Sequence, residues 1–407
     1  MTQEDGDVST ESREDGRQPN KPSERQSQDG PGVCVVTFRG KETPQNATYL
    51  LLNVLSALTE VSLVTTALAE SSKIQGEYTV TETAHTTKGG SFLSTLSRFL
   101  SNQLRVCNAV RKTDASVVYF FGGQAYVVPI LYSRLIGRKV LVQPRGDVAL
   151  TLRMEWKKDM SDVVAMVLYS LVRLLEMTGY YLSHGVVTYT PSMASELGVS
   201  RFRDKLYAYG TRYIKVDEFR PEKSFEDRED RIGFVGRLDT EKGIDVLVEA
   251  VKNLDPEIKF RFVGDGDYRE DVERELSDEI EEGRVEMEGW VEHDEIPENL
   301  NDLRLVVMPS SPTEGLPTSI QEAFGCGTPV YATPVSGIPD VVREGETGFL
   351  MESKDPEKIA RRIEEILERD DLTEISRRCR ELCVERYSYR ASVEGFGKIL
   401  SDVLSKG

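Results

Sequence analysis

The sequence predicts two α/β domains in tandem, each built on a parallel β-sheet with helices over both faces. Three observations predict it. Short apolar runs alternate with longer stretches of helical periodicity, the pattern of strand–helix–strand units. Those short runs are apolar along nearly their whole length, as strands are when both faces of their sheet are buried. The pattern stops at a nearly all-polar segment, 220–230, and then begins again. A chain of 407 residues, 39% of them hydrophobic, has enough apolar material for two cores.

Residues 1–31 are rich in Glu, Asp, Ser, Gln, Gly and Arg, with Val8 the one large apolar residue after Met1. Such a segment cannot bury enough surface to fold and is expected to be a disordered tail. A strand at 33–38 opens the first domain, followed by a polar loop with Gly40 and Pro44 and a helix over 47–59. Further strands are expected at 61–66, 116–121, 139–143 and 185–189, with helical stretches between them. In the second domain strands are expected at 231–235, 259–263, 285–288, 303–308 and 329–332, and helices at 242–253, 268–281, 317–325 and 356–369. A last helix, 391–404, has no strand after it and is free to pack back on the first domain. The expected division is therefore tail 1–31, first domain 32–215, second domain 216–390 and C-terminal helix 391–407.

The net charge of −18 is uneven: −4 in the tail, +6 over 32–210 and −20 over the rest. Overall acidity, with Arg outnumbering Lys, resembles proteins of a salt-rich cytosol, or serves solubility alone. It argues against a nucleic-acid partner, while the basic first half suits an anionic surface or substrate. The five cysteines (Cys34, Cys107, Cys326, Cys379 and Cys383) are odd in number and scattered. Cys379 and Cys383 stand at helical spacing, but no second pair completes a tetrahedral metal site, so plain thiols in a reduced, cytoplasmic protein are expected. No run of about 20 uncharged apolar residues predicts a spanning helix, and the charged N-terminus does not read as a signal peptide. The stretch 163–181 reads two ways. Its Val163, Val164, Val167, Leu168, Leu171, Leu174 and Leu175, preceded by Arg153, Lys157 and Lys158, suit a core helix of the first domain or an amphipathic helix touching the inner face of a membrane.

Two segments of the second half carry chemistry. Strand 232–235 runs into Gly236-Arg237-Leu238-Asp239-Thr240-Glu241-Lys242-Gly243 and then a helix. A helix start offers free N–H groups and a partial positive charge, which suit phosphate, and Arg237 and Lys242 add two cations. The second segment, Glu314-Gly315-Leu316-Pro317-Thr318 through Glu322, follows strand 303–308. Pro317 suits a first helical turn, which puts Glu314 in the loop before the helix and Glu322 about one turn inside it. Carboxylates there are acceptors for sugar and ribose hydroxyls.

The ordered set Gly236-Arg237-Leu238-x3-Lys242-Gly243, Gly264-x-Gly266, Glu314-x7-Glu322, Gly327-Thr328-Pro329-Val330, Gly337-Ile338-Pro339-Asp340 and Glu346-Thr347-Gly348-Phe349-Leu350 resembles the family-4 retaining glycosyltransferases of the GT-B fold. The resemblance covers about 230–350; the first half is similar only in its layout of strands and helices. It implies two Rossmann-like domains facing across a cleft, and transfer of a sugar from a nucleotide-diphosphate sugar to a glycan or lipid-linked acceptor. Arg237 and Lys242 would hold the diphosphate, with Gly236, Gly264, Gly315, Thr318 and backbone around Leu316 completing the cradle. Glu322 would accept the ribose hydroxyls, Glu314 would bind the transferred sugar, and the base would rest near Trp290 and Val291. The Gly337 turn would let the backbone approach the donor. Retention in this family is usually explained by front-side attack, the leaving phosphate taking the acceptor's proton, so no enzymic base is required. No metal and no other cofactor is expected.

Three departures or competing signals remain. Asp265-Gly266-Asp267 has the form of a metal-binding Asp-x-Asp, but it ends a strand where Asp and Gly serve turn geometry. Where the family often places a His, this chain has Gln143-Pro144-Arg145-Gly146-Asp147. Arg145 would hold a donor phosphate or an anionic acceptor without shuttling protons, or would simply pair with Asp147. The loop after the first strand, with Arg39 and Gly40, has one Gly where the family is glycine-rich, and is expected to face acceptor or donor. The competing functions are another GT-B enzyme, a phosphorylase or nucleotide-sugar epimerase, and a non-catalytic glycan-binding partner.

Overall fold

The computed structural model of the chain describes residues 31–38, 43–68, 72–83, 92–210, 212–311 and 315–406. The tail reading and the loop bearing Arg39 and Gly40 lie outside the described residues, as does Glu314. The first domain holds a parallel sheet of β1 (Val33–Val36), β2 (Val61–Thr65), β3 (Thr79–Glu82), β4 (Val117–Phe121), β5 (Lys139–Gln143), β6 (Gly185–Val187) and β7 (Leu206–Tyr207). Their order is β3-β2-β1-β4-β5-β6-β7. The second sheet contains β8 (Arg231–Val235), β9 (Lys259–Val263), β10 (Val285–Gly289), β11 (Leu305–Met308), β12 (Val330–Ala332) and β13 (Gly348–Leu350). It is also parallel, in the order β10-β9-β8-β11-β12-β13.

Alternation along each strand shows why the apolar runs are continuous. Cys34, Val36, Val118, Phe120, Val140 and Val142 pack on one face of the first sheet. Val33, Val35, Val117, Tyr119, Phe121 and Leu141 pack on the other. That second face is covered by Leu51, Leu52 and Leu55 of helix Thr43–Ser56 and by Phe396, Ile399, Leu400 and Val403 of helix Tyr389–Ser405. The end of the chain is therefore part of the first domain's core.

The polar run 220–230, read as a linker, is bound to the second domain. Phe219 and Phe225 are buried at 1% and 5% exposure. The buried Arg228 donates to the Leu303 carbonyl (2.9 Å), the Thr328 hydroxyl (2.8 Å) and the Cys326 carbonyl (2.7 Å). One guanidinium thus satisfies three acceptors at strand and helix ends, which a polarity count cannot reveal. The chain passes between domains at 213–216 and again at 387–389, and the Ile214 N–H donates to the Tyr387 carbonyl at 2.7 Å.

Helix Asp162–Leu182 does not form a core. Its buried residues are Ala165, Glu176, Gly179 and Tyr180, whereas Val163, Val167, Leu171 and Leu174 are 75%, 63%, 53% and 63% exposed. It is long and apolar enough to cross a membrane by length and composition. Its inner face, however, carries Glu176, which accepts from Gln124 at 3.1 Å, and Arg173, which lies 3.5 Å from Asp147. These contacts hold it flat against the domain.

Removing the Phe396 ring should leave a cavity against Tyr119, whose ring centroid lies 6.1 Å away. Denaturant unfolding of Phe396→Ala should show a loss of about 3–5 kcal/mol. A transition matching the wild type would mean that the terminal helix does not support the first domain.

Candidate active site

In each sheet the strand order reverses direction once, between β1 and β4 in the first and between β8 and β11 in the second. Loops leaving the C-terminal ends of such neighbours diverge and open a crevice. The site is built where these two crevices meet.

On the second-domain side three loops are fastened together by backbone contact. Gly236 has φ +155°, and Gly264 has φ +132°; a Cβ on Gly264 would lie 1.9 Å from the Gly236 carbonyl oxygen. A Cβ on Gly243 would lie 2.3 Å from the Pro309 carbonyl, and the Ser311 N–H donates to the Glu241 carbonyl at 2.7 Å. The turns after β8, β9 and β11 therefore converge. Lys242 is buried at 7% exposure, at the end of a 3-10 turn, Thr240–Lys242, capped by Asp239. The long helix begins after it, at Ile244, so Lys242 lies just ahead of the helix start. Arg237 is half-exposed and rests on Asp239 at 2.9 Å and Glu241 at 3.5 Å. Exposed pairs of this kind are worth under about 1 kcal/mol, so a competing anion can displace them.

Helix Thr318–Gly325 follows β11. Pro317 occupies its N-cap position rather than its first turn, and among the described residues no side chain is seen to cap it. Such a start presents free N–H groups and a partial positive charge. Leu316 is buried beneath it. Glu322 sits in the second turn at 5% exposure, and its Oε1 lies 3.0 Å from His293 Nε2. His293 comes from the loop after β10, where Gly289 accepts from the Gly264 N–H at 2.7 Å and Trp290 is 68% exposed, with Val291 half-buried beside it. The His293 ring packs edge-on to Phe219, centroids 5.3 Å apart. The sequence had given no role to His293; only its position after Trp290-Val291 hinted at one.

The two domains touch at glycines. A Cβ on Gly315 would meet the Arg145 carbonyl at 2.7 Å and the Tyr189 ring at 3.1 Å. A Cβ on Gly337 would meet Thr190 Oγ1 at 3.0 Å and Leu316 Cβ at 3.3 Å. Gly337, expected to let the backbone approach the donor, also lets it approach the other domain at Thr190. Beside it Ser336, with φ +50°, donates its N–H to Glu196 at 2.8 Å, and the Ser192 N–H donates to Asp340 at 2.7 Å.

Arg145 does not pair with Asp147, contrary to the simplest reading of its sequence. Asp147 accepts from the Leu150 N–H at 2.9 Å and lies 3.5 Å from Arg173. The Arg145 stem crosses Gly122, and its guanidinium lies over the Phe121 ring at 5.1 Å. Arg212, which the sequence reading passed over, lies over the neighbouring Tyr189 ring at 5.6 Å. Asp265 serves its turn, accepting from Gly266 N–H at 2.8 Å. Among the described residues no three His, Cys, Asp or Glu side chains gather as a metal site.

Glu322 raises the His293 imidazole above its ordinary 6.5, with burial opposing it more weakly. Because the folded value is raised, the pair's stabilisation is fully present below the unfolded value and is lost as pH rises through the folded one. An NMR titration should place the His293 midpoint above 6.5. Glu322→Gln should lower it; an unchanged midpoint would show that the pair does not form.

Residues 215–382 match the family model for glycosyl transferases group 1. The chain is 33% identical over 168 residues to the lipopolysaccharide core biosynthesis glycosyltransferase LpsE of Rhizobium meliloti, covering 41% of this chain and 48% of that one. It is 30% identical over 182 residues to sulfoquinovosyl transferase SQD2 of Arabidopsis thaliana, covering 44% and 33%. These matches thus span less than half of the relatives' own lengths. Across both domains the chain is similar to Alr3699/HepE of Anabaena, solved in complex with UDP, with a TM-score of 0.71 at 16% identity over 91% of this chain and 100% of that one. Its fold is thus GT-B, and its second half is similar to the group 1 glycosyl transferases.

Proposed function

We propose that this protein is a retaining, metal-independent glycosyltransferase that moves a sugar from a nucleoside-diphosphate sugar to a glycan or lipid-linked acceptor. The observation that carries the reading is the convergence of the Gly236 and Gly264 turns, the buried Lys242 and the start of helix Thr318–Gly325 at one sheet's switch point. The names of the curated relatives and the nucleotide bound by Alr3699/HepE support the same chemistry.

In this reading Lys242 and Arg237 neutralise the diphosphate, and the N–H groups of Gly315, Leu316 and Thr318 complete its cradle. Glu322, held by His293, accepts the ribose hydroxyls. Glu314 binds the transferred sugar, and Trp290 and Val291 flank the base. Arg39, Gly40 and Arg145 face the acceptor. Negative charge grows on the departing diphosphate, so fixed cations and amides aimed there lower the barrier, one such donor contributing about 3 kcal/mol. With that charge met by protein groups, the bond breaks without a bridging metal, and the released phosphate oxygen takes the acceptor's proton.

The test is a screen of uridine, guanosine and adenosine diphosphate sugars in excess chelator. One donor should be turned over, and Arg237→Ala or Lys242→Ala should each cut turnover by roughly 10²–10³ with the fold intact. Release of an epimer or a sugar phosphate would favour the other GT-B enzymes. Binding without turnover would favour a non-catalytic partner, and rescue by manganese after chelation would revive Asp265 and Asp267.

We further propose peripheral contact with the inner face of a membrane through helix Asp162–Leu182. Its exposed stripe of Val163, Val167, Leu171 and Leu174 supports this, together with exposed Leu131 and Leu135 on the adjoining helix. Lys157 is partly spent on Asp162, 2.8 Å away, so apolar insertion carries most of the attachment. Leu171→Asp should abolish co-sedimentation with anionic liposomes even at high salt, where the Debye length is ~3 Å and charge attraction is screened. Wild-type protein that never co-sediments would sink the idea.

A further inference from the structure

We propose that Arg145 and Arg212 form an anion site on the first-domain wall of the cleft, which takes a phosphate or carboxylate group of the acceptor; this rests on the transferase reading above.

The argument begins from the company the arginines of this acidic protein keep. Half-buried guanidiniums elsewhere have carboxylate or carbonyl partners: Arg173 with Glu176 at 3.1 Å, Arg261 with Glu286 at 2.8 Å, Arg284 with Glu279 at 3.0 Å, and Arg380 with the Phe219 carbonyl at 2.6 Å. Arg145 and Arg212 do not. Among the described residues no carboxylate stands within ion-pair distance of either, and the acid nearest Arg145 in sequence, Asp147, is taken by Arg173 and a helix cap. Instead both gather at Tyr189, which is 4% exposed. Arg212 lies over its ring, and Arg145 feels both its hydroxyl and the charge of Arg212.

Two like charges in a half-buried place repel one another and lose hydration, and a bound anion offsets both costs. Burial, and secondarily Arg212, hold the Arg145 guanidinium below its ordinary pKa, in line with an unneutralised pair. The position is also specific. The Arg145 carbonyl and the Tyr189 ring abut Gly315, the backbone expected to cradle the donor. The second domain supplies its own cations, Arg237 and Lys242, for the diphosphate. A second cationic pair on the opposite wall therefore has a different anion to meet, and the reacting partner that enters from that wall is the acceptor. Planar guanidiniums suit the flat, two-oxygen edge of a carboxylate or phosphate.

Inorganic phosphate is the probe. It is titrated calorimetrically into the full chain, with and without the nucleoside diphosphate selected by the donor screen. The wild type should bind phosphate with the nucleotide present, and Arg145→Ala and Arg212→Ala should each weaken that binding about tenfold or more. Nucleotide affinity in both variants should stay within about threefold of wild type, and Arg145→Lys and Arg212→Lys should recover part of the phosphate binding because they keep the charge. Recovery in the lysine variants separates loss of charge from loss of fold. If nucleotide binding collapses in both alanine variants, the pair belongs to the donor diphosphate and the proposal is overturned. Absent phosphate binding, or binding indifferent to either substitution, overturns it as well. Failure of the transferase reading looks different: no nucleotide binds the wild type, while the nucleotide-free phosphate titration still reports on Arg145 and Arg212.

Discussion

The site depends on backbone lying against backbone at the C-terminal edge of the second sheet. Gly236 and Gly264 meet so closely that no side chain fits between them, and Gly243 meets Pro309 in the same way. Such contacts bring three loops to one place without spending side chains on the task. Lys242 and Glu322 are both buried beside those loops. A methyl group at Gly264 would strain φ and force the β8 and β9 turns apart together. The geometry is therefore collective, and the cations are only as well aimed as the turns beneath them.

Much of this was legible because parallel sheets write themselves plainly. Strands buried on both faces must be apolar throughout, so β1, β4, β5, β8 and β9 stood out. Strands β3, β7 and β13 did not. The first is a polar, half-exposed edge, and the others are two and three residues long, too short to carry a period. Helix Leu372–Tyr387 was hidden by its charged faces, although Ile375, Cys379, Leu382 and Cys383 form its buried stripe. The spacing of those two cysteines was thus a core signal, and burial pushes the Cys383 thiol up to about 12.

The glycine turns, Lys242 and Glu322 were legible as an ordered motif. His293, Arg212 and the true partner of Asp147 were not, because each is defined by a residue distant in sequence. His293 meets Glu322 across 29 positions, and Asp147 meets Arg173 from a different helix. The apolar stripe of helix Asp162–Leu182 shows the same limit. Periodicity marks an apolar face, but only the neighbouring helices decide whether that face is covered. Here Arg173 and Glu176 point inward and Leu171 and Leu174 outward, the reverse of a core helix.

The chain crosses between the domains twice, at 213–216 and at 387–389, and the crossings are joined by the hydrogen bond from Ile214 to Tyr387. A single tether would let the domains tumble freely relative to each other. Two tethers side by side behave like the pins of a door hinge: they allow swinging about the line through them and resist twisting and sliding. Relative motion of the domains about such a joint is confined to one swing, and the contacts of Gly315 with Arg145 and Tyr189 and of Ser336 with Glu196 limit it.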